Sequence, residues 1–262
     1  MPPGEVSQMS RTFVWLLAIV GVLYLALCAA LFVFQRALIY FPQPRTQSID
    51  ATIFKLPVAD AQVLVSARPH EGPDAFIYFG GNAEDVTLNL PAFSQAFPNQ
   101  AIYLLNYRGF GGSSGSPSEE ALQRDALALF DMVHAKHPNT VIVGRSLGTG
   151  VAIHLASQRP ASRLILITPY SSLEDLAAIK MPLFPVRWLL KDKFESWKDA
   201  ARITVPTLLI AAEHDEIIPR ANTEKLFRHF PAGIASLEVI PNTDHNSISE
   251  SPQYLKLLAR GM

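Results

Sequence analysis

Residues 141–155 read VIVGRSLGTGVAIHL, an apolar run that leads directly into a helical pattern. The junction is the pentapeptide Gly144-Arg145-Ser146-Leu147-Gly148. This spacing is typical of a sharp strand-to-helix turn, in which a strained serine is exposed at the carboxyl end of a sheet. The glycines are required because strand and helix approach too closely for side chains. Ser146 is therefore a candidate nucleophile, and the alternative is an ordinary turn with a capping serine.

Outward from this turn, short apolar runs alternate with helical patterns. Several runs are continuously apolar, as expected of strands buried on both faces of a parallel sheet. The clearest helix begins at Ser116-Pro117-Ser118-Glu119, read as a capping box with Ser116 as N-cap. The sequence therefore predicts an α/β fold with a mostly parallel sheet and helices on both faces. The predicted strands are 62–65, 75–79, 101–105, 141–143, 164–167, 207–210 and 237–240.

A serine attacks efficiently only when a base takes its proton and an acid orients that base. In this architecture the expected chain order is serine, acid, histidine. The turn AAEHDEIIP after strand 207–210 offers Asp215 as the preferred acid, with Glu213 and Glu216 as alternatives. The loop PNTDHNS after strand 237–240 offers His245 as the base. The other histidines lack convincing metal-ligand spacing, so no metal site is predicted.

An oxyanion hole needs two backbone N–H donors. Leu147, which follows the candidate nucleophile, is expected to supply one of them. The second is expected from the loop FGGNA at residues 79–83, with Asn82 preferred and a simple Gly-Gly turn as the alternative. The loop NYRGFGGSSG at residues 106–115 lacks the register of a nucleotide-binding loop and is interpreted as a tight loop that shapes the site.

Together these motifs resemble the α/β-hydrolase superfamily, and most closely its membrane-associated branch of protein depalmitoylases and uncharacterised bacterial hydrolases. The similarity covers residues 36–260 and includes the segments PYSSL at 169–173 and DHN at 244–246. It implies that Ser146, Asp215 and His245 match the family's catalytic triad. Relatives usually have His-Gly-Asn where this chain has Gly80-Gly81-Asn82, so a side chain that steadies the oxyanion loop is missing.

A small apolar cap is predicted over the site. Residues 181–190 read MPLFPVRWLL and lie between two predicted strands that end near the site. Phe184 and Trp188 are the candidate contacts to an acyl chain. The alternative is that these residues only pack against the sheet.

The N-terminus predicts a membrane helix. Between Arg11 and Arg36 lie 24 residues without a charge, which at about 1.5 Å per residue span a hydrocarbon core of about 30 Å. A cleavable signal peptide is the main alternative, and Leu27 disfavours lipidation at Cys28. The flanking charges do not decide the orientation. We expect residues 1–35 to be a single-pass anchor that contributes nothing to the fold, and residues 36–262 to form one hydrolase domain.

Composition excludes several classes of protein. A chain that is 49% hydrophobic and 17% charged, with 22 basic and 23 acidic residues, is neither disordered nor a typical nucleic-acid binder. Its one cysteine excludes an internal disulfide framework.

These features together predict a serine hydrolase that cleaves an acyl ester or thioester near a membrane without a cofactor. Its partners would be a small or lipid-like acyl substrate, or an acylated protein, and membrane lipid through the N-terminal helix. The alternatives are an aminopeptidase of the same superfamily and a catalytically idle membrane scaffold.

Overall fold

The computed structural model describes residues 3–46 and 51–261 and contains one sheet of eight strands in the order β1-β2-β4-β3-β5-β6-β7-β8. The strands are β1 (Thr52–Leu56), β2 (Val63–Arg68), β3 (Asp74–Phe79), β4 (Ala101–Asn106), β5 (Asn139–Arg145), β6 (Arg163–Ile167), β7 (Thr207–Ala212) and β8 (Ala235–Ile240). The helices are α1 (Pro3–Ile39), α2 (Leu90–Ala96), α3 (Glu119–His134), α4 (Leu147–Gln158), α5 (Leu173–Lys180), α6 (Val186–Leu189), α7 (Ser196–Ala200), α8 (Arg220–Phe227) and α9 (Pro252–Gly261).

The predicted α/β class and mostly parallel sheet are confirmed. The pairs β1–β2 and β2–β4 are antiparallel, and every other pair is parallel. Helices α3, α4 and α8 cover one apolar face of the sheet, and α2 and α9 cover the other. The parallel strands therefore bring their carboxyl ends to one edge, where the loops after β3, β5, β7 and β8 meet.

Two local predictions were wrong. Strand β1 was missed because its five residues lie at the sheet edge, where partly exposed side chains and Lys55 give no clear apolar run. Helix α3 begins at Glu119 rather than next to Ser116. Its N-cap is Ser118, whose Oγ accepts a hydrogen bond from the backbone N–H of Ala121 at 3.2 Å.

The loop after β4 is held by a buried ion pair. The Arg108 guanidinium donates two hydrogen bonds of 2.8 Å to the carboxylate of Asp125 on α3, and two more to Asp60. The side chains of Arg108 and Asp125 are 6% and 2% exposed. Next to this pair, the Tyr107 hydroxyl donates to the carbonyl of Gly80 at 2.9 Å. The loop after β4 thus stabilises the residues that follow β3, as expected of a segment that shapes the site.

Helix α1 is attached to the rest of the protein. Residues 1–35 were expected to contribute nothing to the fold, but Gln35 donates to the carbonyl of Leu189 at 3.0 Å and Tyr24 to that of Leu183 at 2.9 Å. The helix continues to Ile39, so the expected boundary falls inside it. Arg36 Nε lies 2.9 Å and Tyr40 Oη lies 3.1 Å from Oδ2 of Asp192, whose side chain is 5% exposed. Burial and the nearby Asp192 carboxylate raise the pKa of Tyr40, which keeps its hydroxyl a donor.

Within the described residues, one helical segment, Arg11–Ile39, is long and apolar enough to cross a membrane. Residues 1 and 2 of the expected anchor lie outside the described residues. Membrane insertion of this segment stays a prediction.

The substitution Arg108→Met should lower the free energy of unfolding by about 3 kcal/mol, because it leaves the buried Asp125 carboxylate without a partner. The matched control is Arg124→Met, which removes an exposed pair with Asp60 and should cost less than about 1 kcal/mol. Chemical denaturation of the full chain in detergent, followed by circular dichroism, measures both. Equal losses would show that the Arg108–Asp125 pair does not stabilise the fold.

Candidate active site

Ser146 lies on the turn between β5 and α4 in a left-handed conformation, with φ of 49° and ψ of −119°. The two flanking glycines explain why this conformation is required. A Cβ on Gly148 would lie 2.1 Å from the carbonyl oxygen of Phe79, and a Cβ on Gly144 would lie 2.5 Å from that of Gly148. Helix α4 can pack this closely only without those side chains, and the abrupt turn lifts the Ser146 hydroxyl above the sheet edge.

The structure brings His245 to Ser146. His245 lies in the loop after β8, is 8% exposed, and places Nε2 2.9 Å from Ser146 Oγ. Its other ring nitrogen, Nδ1, lies 2.8 Å from Oδ2 of Asp215. One hydrogen-bonded row therefore joins hydroxyl, imidazole and carboxylate, with the imidazole in position to accept the hydroxyl proton.

Of the three acids in the turn after β7, Asp215 is the one that contacts His245. Its second oxygen, Oδ1, accepts backbone hydrogen bonds from Ile217 at 3.0 Å and Ile218 at 2.7 Å, which fix the carboxylate. The Glu213 carboxylate instead accepts from the backbone N–H of Asn242, and the exposed Glu216 uses its backbone carbonyl to accept from Lys180. In the described residues, no cluster of three or more His, Cys, Asp or Glu side chains could hold a metal ion.

Asn82 and Leu147, the predicted oxyanion-hole donors, both line the cavity that contains Ser146. Leu147 opens α4, so its N–H lies in the first helical turn, where no intrahelical acceptor exists. The N–H of Gly81 donates to the carboxylate of Glu84 at 2.6 Å. The role of Leu147 and Asn82 as oxyanion donors stays a prediction.

The Asn82 side chain has a separate role. Its Nδ2 donates to the carbonyl of Ile39 at the end of α1 at 2.9 Å, and the backbone carbonyl of Asn82 accepts from the backbone N–H of Phe41 at 2.8 Å. The end of α1 therefore holds the loop that contains Asn82, which lines the cavity beside Ser146.

Sequence reasoning missed Glu84, which steadies the same loop. Besides Gly81, its carboxylate accepts from the hydroxyl of Tyr78 at 2.8 Å and the amide of Asn89 at 2.7 Å. Burial and the neighbouring Glu84 raise the pKa of Tyr78 well above its usual value, so the phenol stays a donor. A Cβ on Gly80 would lie 2.5 Å from Val86 and 3.1 Å from Glu84. The side chains of Val86 and Glu84 thus fill the space beside Gly80.

An apolar cavity of about 330 Å³ leads from Ser146 to α1 and the cap, which we define as residues 180–190. Phe184 lines it as predicted, but Trp188 does not. Its side chain is 82% exposed, because α6 turns Val186 and Leu189 toward the cavity and Trp188 away. The remaining lining residues come from α1 (Leu31, Gln35, Leu38, Ile39), from α5, its flanks and the cap (Tyr170, Leu173, Leu176, Ala177, Lys180, Met181, Leu190), and from the turn after Asp215 (Ile217, Ile218).

Comparisons with known proteins support the α/β-hydrolase fold. A family model described as serine aminopeptidase, S33, matches residues 95–198 and 189–252. An uncharacterized protein of Mycobacterium tuberculosis is 32% identical over 81% of this chain and 80% of its own length. The lysophosphatidylserine lipase ABHD12 of Macaca fascicularis is 30% identical over 60% of this chain and 47% of its own length. The fold is similar to that of the Pyrococcus furiosus esterase Pf2001, with a TM-score of 0.65 at 13% identity over 84% of this chain and 95% of the esterase.

The close approach at Gly148 predicts a large effect of one methyl group. Gly148→Ala should lower the free energy of unfolding by about 3 kcal/mol or prevent folding, because the new Cβ meets rigid backbone. Gly81→Ala is the control, since its Cβ would find ordinary contacts of 3.4 Å and 3.7 Å. Thermal unfolding and the yield of folded protein measure both variants. A Gly148→Ala protein as stable as the control would contradict the packing described here.

Proposed function

Because this chain belongs to the serine aminopeptidase S33 family of the α/β-hydrolase superfamily, we propose that it is a membrane-anchored serine hydrolase of acyl esters or thioesters. The observation that carries the proposal is the hydrogen-bonded row of Ser146, His245 and Asp215 at the end of an apolar cavity.

In the proposed first step, Ser146 Oγ attacks the acyl carbon while its proton passes to His245 Nε2. The electron pair of the carbonyl moves onto its oxygen, and the backbone N–H groups of Leu147 and Asn82 stabilise that oxyanion. When the intermediate collapses, the bond to the leaving alcohol or thiol breaks and His245 returns the proton to it. The acyl group stays on Ser146 as an ester.

In the second step, water gives one proton to His245 and attacks the acyl-enzyme, so that the acid leaves and Ser146 regains its proton. Asp215 stays ionised throughout and holds the imidazole in the required tautomer. The short hydrogen bonds that Asp215 receives from Ile217 and Ile218 support this role, because they keep the carboxylate from rotating.

The cavity favours an acyl chain over a peptide. An aminopeptidase needs carboxylates to hold the substrate's α-amino group, whereas among the described residues that line the cavity Lys180 is the charged one. The apolar walls suit a fatty chain, and a relative named as a lysophosphatidylserine lipase supports a lipid-like substrate. The complete hydrogen-bonded row argues against an idle scaffold.

The anchor part of the proposal rests on the 29-residue apolar segment Arg11–Ile39. Its side chains are largely exposed in the structure, which differs from a helix buried in a soluble core. A cleaved signal peptide is disfavoured because Arg36 and Gln35 bind the folded domain. Recovery of the full-length chain in the membrane fraction after carbonate washing tests this part.

Ser146 should react covalently with a fluorophosphonate probe, because a base-activated serine attacks such phosphorus centres quickly. Ser146→Ala should abolish the labelling, and His245→Ala should reduce it almost as far. Labelling is measured by mass spectrometry of the modified peptide. Unchanged labelling of Ser146→Ala would remove this serine as the nucleophile.

The acid is tested with the same assay. Asp215→Asn should lower turnover by up to about 10⁴-fold, as a wrong histidine tautomer does in serine proteases. Glu213→Gln and Glu216→Gln are the matched controls and should retain most activity. If Glu213→Gln or Glu216→Gln lost more turnover than Asp215→Asn, that glutamate would be the acid.

Chain-length preference tests the substrate class. Each buried methylene contributes about 0.8 kcal/mol, so a p-nitrophenyl octanoate should exceed the butyrate by roughly 100-fold in kcat/KM. Phe184→Ala should lower that ratio several-fold because it removes a wall of the cavity. Trp188→Ala, whose ring lies outside the cavity, should leave the ratio unchanged for dissolved monomeric esters. A preference for acetyl esters would contradict an acyl-chain pocket.

A further inference from the structure

One stripe of α1 binds the cap along its length. The residues Tyr24, Cys28, Leu31 and Gln35 recur every three or four positions and therefore share one face of the helix. Cys28 and Gln35 are buried even though most of the surrounding helix is exposed. At the near end, Gln35 bonds the carbonyl of Leu189 at 3.0 Å and the N–H of Lys191 at 2.6 Å.

At the far end, the cap contacts Tyr24, which lies closer to the N-terminus of the same helix. The Tyr24 hydroxyl donates to the carbonyl of Leu183 at 2.9 Å, and its ring stacks on Phe184 at 5.8 Å. Gln35 lies eleven positions after Tyr24, which is about 16 Å of helix at about 1.5 Å per residue. A single leaflet of a bilayer has a hydrocarbon depth of about 15 Å. The cap therefore follows α1 over a length equal to the thickness of one leaflet.

Several backbone carbonyls of the cap accept hydrogen bonds from side chains outside it. Irregular chain survives in a hydrocarbon environment only when protein groups satisfy its polar atoms. The carbonyls of Leu183 and Leu189 accept from the α1 side chains Tyr24 and Gln35, and that of Arg187 accepts from Lys193. Pro182 and Pro185 carry no N–H at all. These hydrogen bonds account for Tyr24 and Gln35, two polar side chains in the apolar run between Thr12 and Arg36.

The outer face of the cap is apolar and uncovered. Leu183 is 80% exposed and Trp188 82%, and together with Ile179 of the neighbouring α5, which is 59% exposed, they continue the apolar surface of α1. Basic residues border this surface on the side of the domain: Arg36 and Lys191 lie where the helix meets the domain, and Lys180 bonds the carbonyl of Glu216. Arg187 is exposed on a long side chain that can extend toward the same border. A phospholipid leaflet fits this arrangement, with hydrocarbon against the cap and anionic headgroups at the border.

We propose that the cap lies within one leaflet beside α1, and that acyl chains enter the cavity sideways from that leaflet between α1 and the cap. The cavity supports this route, because Leu31 of α1 and Met181 and Phe184 of the cap line it opposite Ser146. The catalytic part of this proposal rests on the proposed function, but the position of the cap does not.

The depth of the cap is measured without any activity. The chain contains Trp15, Trp188 and Trp197. A full-length variant with Trp15→Phe and Trp197→Phe leaves Trp188 as the single reporter, and one with Trp15→Phe and Trp188→Phe leaves Trp197 on α7 as the control. Both are placed in phosphatidylcholine vesicles with brominated acyl chains. Trp188 should be quenched by the bromolipid and protected from dissolved acrylamide, while Trp197 should not be quenched by the bromolipid.

Two results would overturn the proposal. Quenching of Trp188 by acrylamide but not by bromolipid would place the cap in water. Protection of Trp188 from both quenchers would show that a second copy of the chain or another protein covers it.

The route of entry is tested with a second pair of full-length variants, Leu183→Lys and Ala232→Lys. Leu183 does not line the cavity, and Ala232 is an exposed residue before β8, at the edge of the sheet opposite the site. Hydrolysis of 4-methylumbelliferyl oleate in vesicles should fall about tenfold or more in Leu183→Lys, because a charge within hydrocarbon is unfavourable. Hydrolysis of dissolved 4-methylumbelliferyl butyrate should not change, and Ala232→Lys should leave both rates unchanged.

Equal rates of Leu183→Lys and the unmodified protein on the oleate would overturn lateral entry. A loss on both esters would also overturn it, because the cap would then act on the catalytic site itself. If the unmodified protein hydrolyses neither ester and the fluorophosphonate probe does not label Ser146, the proposed function fails, while the quenching of Trp188 still decides the position of the cap.

Discussion

The contact between α4 and the end of β3 is the constraint on which the site depends. Because Gly148 lies against the carbonyl of Phe79, the chain must turn from β5 into α4 within a single residue, and Ser146 takes a conformation that few side chains adopt. The hydroxyl then stands at the edge where the parallel strands end. The loops after β7 and β8 arrive at the same edge, so Asp215 and His245 reach it from far along the chain.

Helix α1 is joined to the catalytic domain at two functionally different places. Arg36 and Tyr40 fix it to the buried Asp192 at the base of the cap, and Asn82 fixes its end to the loop that faces Ser146. The helix is therefore both a wall of the cavity and a support of the loop that contains Asn82. A boundary between anchor and domain at residue 35 therefore separates residues that contact one another in the folded protein.

The sequence predicted those features that depend on local pattern. The run from Val141 to Leu155 gave the turn at Ser146, and the polar loops after two apolar runs gave Asp215 and His245, because the chemistry requires those residue types in that order. What it could not predict depends on neighbours that are distant in sequence. Glu84 matters because of the space beside Gly80, and Trp188 points outward because of the way α6 turns. The contacts of Tyr24 and Gln35 were hidden in a charge-free run that, by composition alone, indicates only a lipid-facing helix.

The contacts of α1 join residues that are far apart in the order of synthesis. Arg36 precedes its partner Asp192 by 156 positions, so the helix leaves the ribosome long before the cap exists. The contacts that attach α1 to the cap therefore cannot form until six of the eight strands have been synthesised. The site needs His245 as well, so it is complete only after β8 and the loop that follows it have been added.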